Sequence, residues 1–229
     1  MSIEFSDEVE RVHERIDSDG RERIYVVGDV HGCIEELRVL LDEIRPSSDD
    51  LLVFVGDLIR KGPNSDAVVD LIRTSKNMVS VRGNNEQKII DGGVEAGLSD
   101  TNRDYLESMP VVISWDDAMV VHDGVDPRKE LVDHTIRDLV KMRSLDNGGY
   151  DGEFWFDRYD SDTTVFFGHT VLEDPFVGNA VGLDTGCVYG GRLTAYDVKE
   201  SEFVSVPANK TYSERSDEYI VSVPEERTR

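Results

Sequence analysis

Cysteine is scarce in this 229-residue chain: Cys33 and Cys187 are the whole supply, and two thiols so far apart in sequence do not make a disulfide framework. Lysine is scarce too. It supplies seven of the 25 basic residues against 48 acidic ones, leaving a formal net charge of −23. So anionic a surface repels nucleic acid and anionic membranes, and both are excluded as partners. The acid is scattered and not gathered in one tail, which predicts adaptation to a salt-rich cytoplasm such as that of a halophilic archaeon, where counter-ions screen the self-repulsion. No segment approaches roughly 18 continuous apolar residues, and residues 1–8 lack the basic and apolar stretches of a targeting signal, so the expected location is cytoplasmic. No repeat and no Pro/Gly/Ser-rich linker divides the chain.

Apolar residues make up 38% of the sequence, enough for a single core at this length. The reading is one domain over residues 1–207, followed by a flexible acidic and polar tail at 208–229. The N-terminal half alternates element types. Apolar runs at 24–27, 51–55 and 78–81 read as strands. Between them, Ile34, Leu37, Leu41 and Ile44 recur at helical spacing, and Ser65 reads as the cap of a helix that turns Val68, Leu71 and Ile72 inward. Such a β-α-β-α-β series predicts parallel strands. The C-terminal half reads as six strands at 111–114, 119–122, 164–167, 180–183, 193–198 and 203–206. Asp116-Asp117 forms the first turn, and one helix is expected over 134–142. The fold class is α/β, with two facing sheets and helices outside.

Open α/β sheets bind ligands beyond the carboxyl ends of their strands, where loops converge and backbone amides are free. Here those ends carry metal-ligand types: Asp29 and His31, then Asp57, then Asn84, with His122 and His169 following later strands. Each taken singly could be a turn or a hydrogen-bonded core residue. Mixed nitrogen and oxygen donors suit Mn, Fe, Zn, Ni, Co or Mg better than Ca, and Mn is the first choice. His13 and His134 sit among charged residues and are expected at the solvated surface. Tyr150, Phe154, Trp155, Phe156 and Tyr159 could stack a nucleobase, but a core role is favoured.

Five stretches carry a family resemblance. Gly28-Asp29-Val30-His31-Gly32, Gly56-Asp57-Leu58-Ile59-Arg60-Lys61-Gly62-Pro63, Arg82-Gly83-Asn84-Asn85-Glu86, Val121-His122-x-Gly124 and Phe167-Gly168-His169-Thr170 resemble the calcineurin-like metallophosphoesterases. More narrowly, they are similar to the Ser/Thr protein phosphatases and their bis(5'-nucleosyl)-tetraphosphatase relatives, as is the stretch from Leu183 to Ala195. The likeness spans roughly residues 24–198. It implies a four-layer sandwich of two mixed β-sheets flanked by helices. It also implies a pair of divalent ions, one held by Asp29, His31 and Asp57, the other by Asp57, Asn84, His122 and His169, with Asp57 bridging. Two such ions about 3.5–4 Å apart clamp a phosphate and activate a water between them. Lys61 and Arg143 stand where the family places phosphate-binding arginines, though Arg143 also reads as a helix end.

Two positions depart from the family. Asn85 replaces the histidine that protonates the leaving group, and Arg60 replaces the aspartate that steadies it, so general-acid help worth roughly 10²–10⁴-fold is expected to be missing. Three functions accommodate this. Family usage favours a Ser/Thr protein phosphatase-like hydrolase with a phosphorylated protein as substrate. The alternatives are a diadenosine tetraphosphate hydrolase of the symmetrical type, acting on a small phosphorylated nucleotide, and a phosphate- or nucleotide-binding protein without turnover.

Overall fold

Ile24, Tyr25, Val26 and Val27 are all buried, as are Leu51, Leu52, Val53 and Phe54, because each run is covered on both faces of its sheet. The computed structural model describes residues 3–94, 97–146 and 148–223. In chain order its strands are β1 (His13–Arg15), β2 (Ile24–Val27), β3 (Leu51–Phe54), β4 (Met78–Ser80), β5 (Val112–Trp115), β6 (Ala118–Val120), β7 (Thr164–Phe167), β8 (Ala180–Gly182), β9 (Arg192–Asp197) and β10 (Glu202–Pro207). They form two five-stranded mixed sheets, ordered β10-β9-β2-β3-β4 and β1-β5-β6-β7-β8. Strands β2, β3 and β4 are parallel, as the alternation of elements predicts, and β9 joins β2 antiparallel. In the second sheet β6, β7 and β8 are parallel and β5 is antiparallel to β6. Edge strand β1 carries no apolar signal of its own; pairing with β5 recruits it.

The helices are α1 (Asp7–Glu10), α2 (Ile34–Ile44), α3 (Ser65–Thr74), α4 (Asn84–Ile90), α5 (Asp100–Ser108), α6 (Ile136–Val140) and α7 (Trp155–Arg158). Side-chain alternation along each strand builds the layers. From β2, Tyr25 and Val27 face α2 and α3, meeting Leu37, Leu40, Val68 and Ile72. Ile24 and Val26 face the other sheet, meeting Ile113, Val120 and Phe166 in the seam, with Tyr196 beside Val26 on neighbouring β9. The far face of the second sheet packs Met119, Val165 and Phe167 against Leu139, Val140, Trp155 and Phe156. The result is helix, sheet, sheet, helix. Among the described residues, no helix is long and apolar enough to cross a membrane.

Several local expectations are corrected. The cap of α3 is Asn64, whose side chain accepts from Ala67 N at 3.2 Å; Ser65 Oγ instead accepts from Arg60 N at 2.8 Å. The helix expected over 134–142 shrinks to α6, because Thr135 and Asp138 cap each other's backbone at its start and the Met142 N–H leaves to donate to Asp123. His134 is fully buried, accepting from Asp126 N at 2.8 Å, and the side chain of His13 is enclosed against Phe5 and Ser114. Of the segment expected as a tail, residues 224–229 lie outside the described residues. Before them, Asn209 N and Tyr212 Oη both donate to Glu36 at 2.9 Å, and Val221 N donates to Val171 O at 2.8 Å.

Candidate active site

The cleft is made by the chain segments that leave the carboxyl ends of strands in both sheets. Asp29 and His31 follow β2, Asp57 follows β3, and Asn84 follows β4 and opens α4. From the second sheet, His122 follows β6, His169 follows β7, and Asp184 follows β8. The loops are laced together: His31 N donates to Asp57 O at 2.8 Å, and the buried Glu86 carboxylate accepts from Asp57 N and Gly83 N at 2.9 and 2.7 Å. Burial, and then the nearby Asp57 charge, push the Glu86 carboxyl up to about 8. Close approach dictates glycine at two of these turns. A Cβ on Gly168 would strike Asp29 Oδ1, and one on Gly83 would strike Asp57. Eight non-glycine residues have positive φ among those described; His31, Asp57, Arg60, Lys61 and His169 are five of them, so the backbone strain gathers at this cleft.

The structure brings together all six residues singled out as metal ligands. Asp29, His31 and Asp57 offer donor atoms within 4.8 Å of one another, as do Asp57, His122 and His169, so Asp57 belongs to both groups. Two histidines are hydrogen-bonded through their other nitrogen, and the third has a carboxylate beside it. His31 Nδ1 lies 3.0 Å from Ile59 O, His122 Nδ1 lies 2.8 Å from Val55 O, and His169 Nε2 lies 3.1 Å from Asp123 Oδ2 without hydrogen-bond geometry. Such outer partners set which nitrogen points inward. Burial, aided by Lys61, pushes His31 down to about 4; burial also lowers His122, and burial with Arg143 lowers His169. All three are therefore neutral imidazoles, the form that ligates a metal.

The carboxylates respond differently. Burial works against the charge of Asp57, but His122 and His31, which carry charge only at acid pH, together with Lys61 and the Asn85 N–H, hold its carboxyl down at about 2. Burial raises Asp29 well above the carboxylate range, and the charges of Asp184 and Asp57 add to the rise. Asn84 turns its amide oxygen to within 3.1 Å of His122 Nε2, an acceptor facing an acceptor; turned over, the amide would donate to His122, His169 and Asp57 instead. A cation satisfies the same lone pairs with the oxygen facing inward. Convergent acceptors, neutral imidazoles and a crowd of buried carboxylates fit a divalent metal pair.

Cations line the rim of this cleft, a cavity of about 330 Å³. Lys61 Nζ lies 2.9 Å from His31 Nε2, and Arg143 donates to His169 O at 3.3 Å with its guanidinium 4.9 Å from the centre of the Tyr150 ring. Arg143 follows α6 by three residues and does not end it. Arg60 Nη1 donates to Asn85 Oδ1 at 2.6 Å, and Asn85 donates to Asp57 from both its backbone and its side chain. Of the five aromatics, Trp155 and Phe156 are core, whereas Tyr150 lies against Arg143, which lines the cleft.

Sequence reasoning missed four residues here. Asp184 obeys the same rule as the others, a carboxylate just past an apolar strand. Asp123 stood unread beside His122. Lys88 lies four residues after Asn84 on α4, hence on the same face. Arg215 carried no signal, since its segment was read as a tail.

Two facing mixed sheets, with neutral imidazoles and carboxylates converging from the strand ends of both, define a metal-dependent phosphoesterase. The chain belongs to the calcineurin-like phosphoesterase family, whose model matches residues 22–200, and it is a hydrolase acting on phosphate esters; the family uses a dinuclear divalent metal centre, and candidate ligand groups for one are present here. It is 29% identical to the asymmetrical bis(5'-nucleosyl)-tetraphosphatase PrpE of Oceanobacillus iheyensis, covering 87% of this chain and 98% of that one. The PrpE of Halalkalibacterium halodurans is 28% identical, covering 81% and 94%. Among solved structures, a protein described as a "putative diadenosine tetraphosphatase" superposes with a TM-score of 0.75 at 28% identity, covering 86% and 97%. A Ser/Thr phosphatase of Saccharomyces cerevisiae shares the fold alone, with a TM-score of 0.59 at 15% identity, covering 90% and 85%.

Proposed function

We propose that this hydrolase cleaves the phosphoanhydride chain of a dinucleoside tetraphosphate, adding water to give a nucleoside triphosphate and a nucleoside monophosphate. The observation that carries the reading is the state of Asn85. Its amide is committed to Arg60 and Asp57 and holds no transferable proton. A serine alkoxide leaving group needs a proton from a positioned acid, whereas a nucleoside phosphate departs as a stable anion and needs little. The protein phosphatase reading, favoured by family usage, lacks its donor. The names of the PrpE relatives support the anhydride reading and the asymmetric cut.

In this proposal Asp29, His31 and Asp57 would hold one divalent ion, Mn by first choice, and Asp57, Asn84, His122 and His169 would hold the other. Such a pair would supply Lewis-acid polarisation of a phosphoryl group and activation of water. The protein's own groups do the rest. Asn85 donates two N–H groups to Asp57 and so fixes the plane of the carboxylate common to both ligand groups, while Arg60 holds Asn85 in that pose. Lys61, Arg143 and Lys88 surround the same cavity and neutralise phosphoryl oxygens. Buried Asp123 orients His169.

The test is a parallel assay of diadenosine tetraphosphate, a phosphoserine peptide and para-nitrophenyl phosphate with Mn at molar salt, with products of the first resolved by chromatography. ATP plus AMP as the fastest products is expected. Preferred turnover of the phosphopeptide would overturn the proposal, and binding without turnover of any substrate would favour a binding protein.

A further inference from the structure

Arg215 reaches the metal cleft from the segment that follows the last strand, not from a strand-end loop. The segment is pinned on both sides of it. Before it, Tyr212 N and Ser213 N donate to Val188 O at 3.0 Å, and Tyr212 Oη donates to the buried Glu36; after it, Val221 N donates to Val171 O at 2.8 Å. The guanidinium itself is held by aromatic rings. Its centre lies 4.7 Å from the centroid of Tyr189, 5.5 Å from Tyr150 and 6.0 Å from Tyr219. Nε donates to Tyr219 O at 3.0 Å, and Nη2 donates to Tyr150 Oη.

Among the described residues, those contacts leave Nη1 without a partner, and no ion pair joins Arg215 to a carboxylate. In a chain of net charge −23 that is an unusual position for a cation. The side chain borders the same cavity as Asp29, Asp57, His169 and Asp184; burial raises the Asp184 carboxyl above its ordinary value, and the Arg215 charge, after the Gly186 N–H and Lys61, opposes that rise. Tyr189 carries a second cation, Lys61 Nζ, 5.2 Å from its ring centre. One aromatic ring thus contacts both an ammonium and a guanidinium that line the cleft. Aromatic stacking pre-orients the planar fork of Arg, so little side-chain freedom remains to be lost when a phosphate docks.

We infer that Arg215, fixed by Tyr189 and Tyr150 and acting with Lys61, forms a second anion subsite that takes the phosphate adjoining the one under attack. The ligand class is a phosphoanhydride chain, and for its substrate the inference rests on the function proposed above. A phosphomonoester offers this subsite nothing, because its far side carries no second phosphate. The segment carrying Arg215 is therefore a specificity element, and the final strand does not mark the end of the functional chain.

Calorimetric titration of the full-length, Mn-loaded protein with imidodiphosphate, a non-hydrolysable pyrophosphate analogue, and with orthophosphate tests this directly. A charge-assisted phosphate contact of ordinary strength gives a preference of about tenfold for imidodiphosphate. Arg215→Ala is expected to abolish that preference while keeping orthophosphate binding, which also reports that the variant is folded. Arg215→Lys, retaining charge without the fork, is expected to keep only part of it. An unchanged preference in Arg215→Ala would overturn the subsite even if diadenosine tetraphosphate is turned over. Conversely, a preference lost in Arg215→Ala supports the subsite even if the phosphopeptide proves the better substrate, in which case only the proposed function falls.

Discussion

Arg60 donates to the amide oxygen of Asn85 at 2.6 Å, and the nitrogen of that amide donates to Asp57 Oδ2 at 2.5 Å. The two departures from the family pattern are thus one unit in space. A guanidinium beside an imidazolium would repel it, while an aspartate beside the asparagine would face the amide oxygen, acceptor to acceptor. Each substitution makes sense only with the other, and together they put, in place of a proton-delivering pair, a strut for the Asp57 carboxylate, a candidate metal ligand.

Reversing both changes should restore acid catalysis. Arg60→Asp with Asn85→His is expected to raise kcat on phosphoserine peptide by on the order of 10²-fold, with a smaller change on diadenosine tetraphosphate. Steady-state kinetics on both substrates decide it, and equal gains on the two would sink the missing-acid argument.

Asp57 lies in both groups of potential ligands. Asp57→Asn is expected to strip both ions and to reduce activity below detection, whereas Asn84→Ala should leave one ion bound. Elemental analysis of the purified proteins reads the stoichiometry; two ions retained in Asp57→Asn would refute a bridging role.

His13 offers a pH test away from the metal ligands. Burial and the Arg15 charge lower its pKa below the ordinary histidine value, against the opposing pull of Glu10 at 3.5 Å. Below that ordinary value the unfolded chain takes up a proton that the folded chain resists, so the contribution of His13 to stability is lost as pH falls. Urea midpoints at pH 7 and pH 5 should drop more steeply for the native chain than for His13→Gln. Parallel drops would show that the ring titrates freely.

The net charge predicts a salt response. Moving from about 0.1 M to about 1 M NaCl shortens the Debye length from roughly 10 Å to roughly 3 Å, which relieves self-repulsion. The melting temperature should rise across that range, and a flat profile would argue against the salt-rich setting read from composition.

The architecture was legible because its two signals are local and repeated: apolar runs of strand length, and polar residues that follow them. That rule brought out Asp29, Asp57, His122 and His169, and applied once more after 180–182 it would have found Asp184. It failed where tertiary context overrides local composition. His13 and His134 look solvated from their neighbours, but an edge strand and a tight loop enclose them. Arg215 was illegible for a related reason. Its segment has no periodicity, and what docks it is Glu36, a charged residue on α2 that is only 1% exposed. A carboxylate in that position reads as solvent-facing until the partners that cover it are known.

The proposed ligands come from both sheets: Asp29, His31, Asp57 and Asn84 from one, His122 and His169 from the other. Bound ions would therefore act as rivets across the seam that Val26, Ile113 and Phe166 otherwise close by packing alone. An ion at about a hundred times its dissociation constant adds about 2.7 kcal/mol to the folded state. Metal supply would then govern the survival of the chain as well as its turnover, and chelation should open the sheets to protease before it merely silences the enzyme.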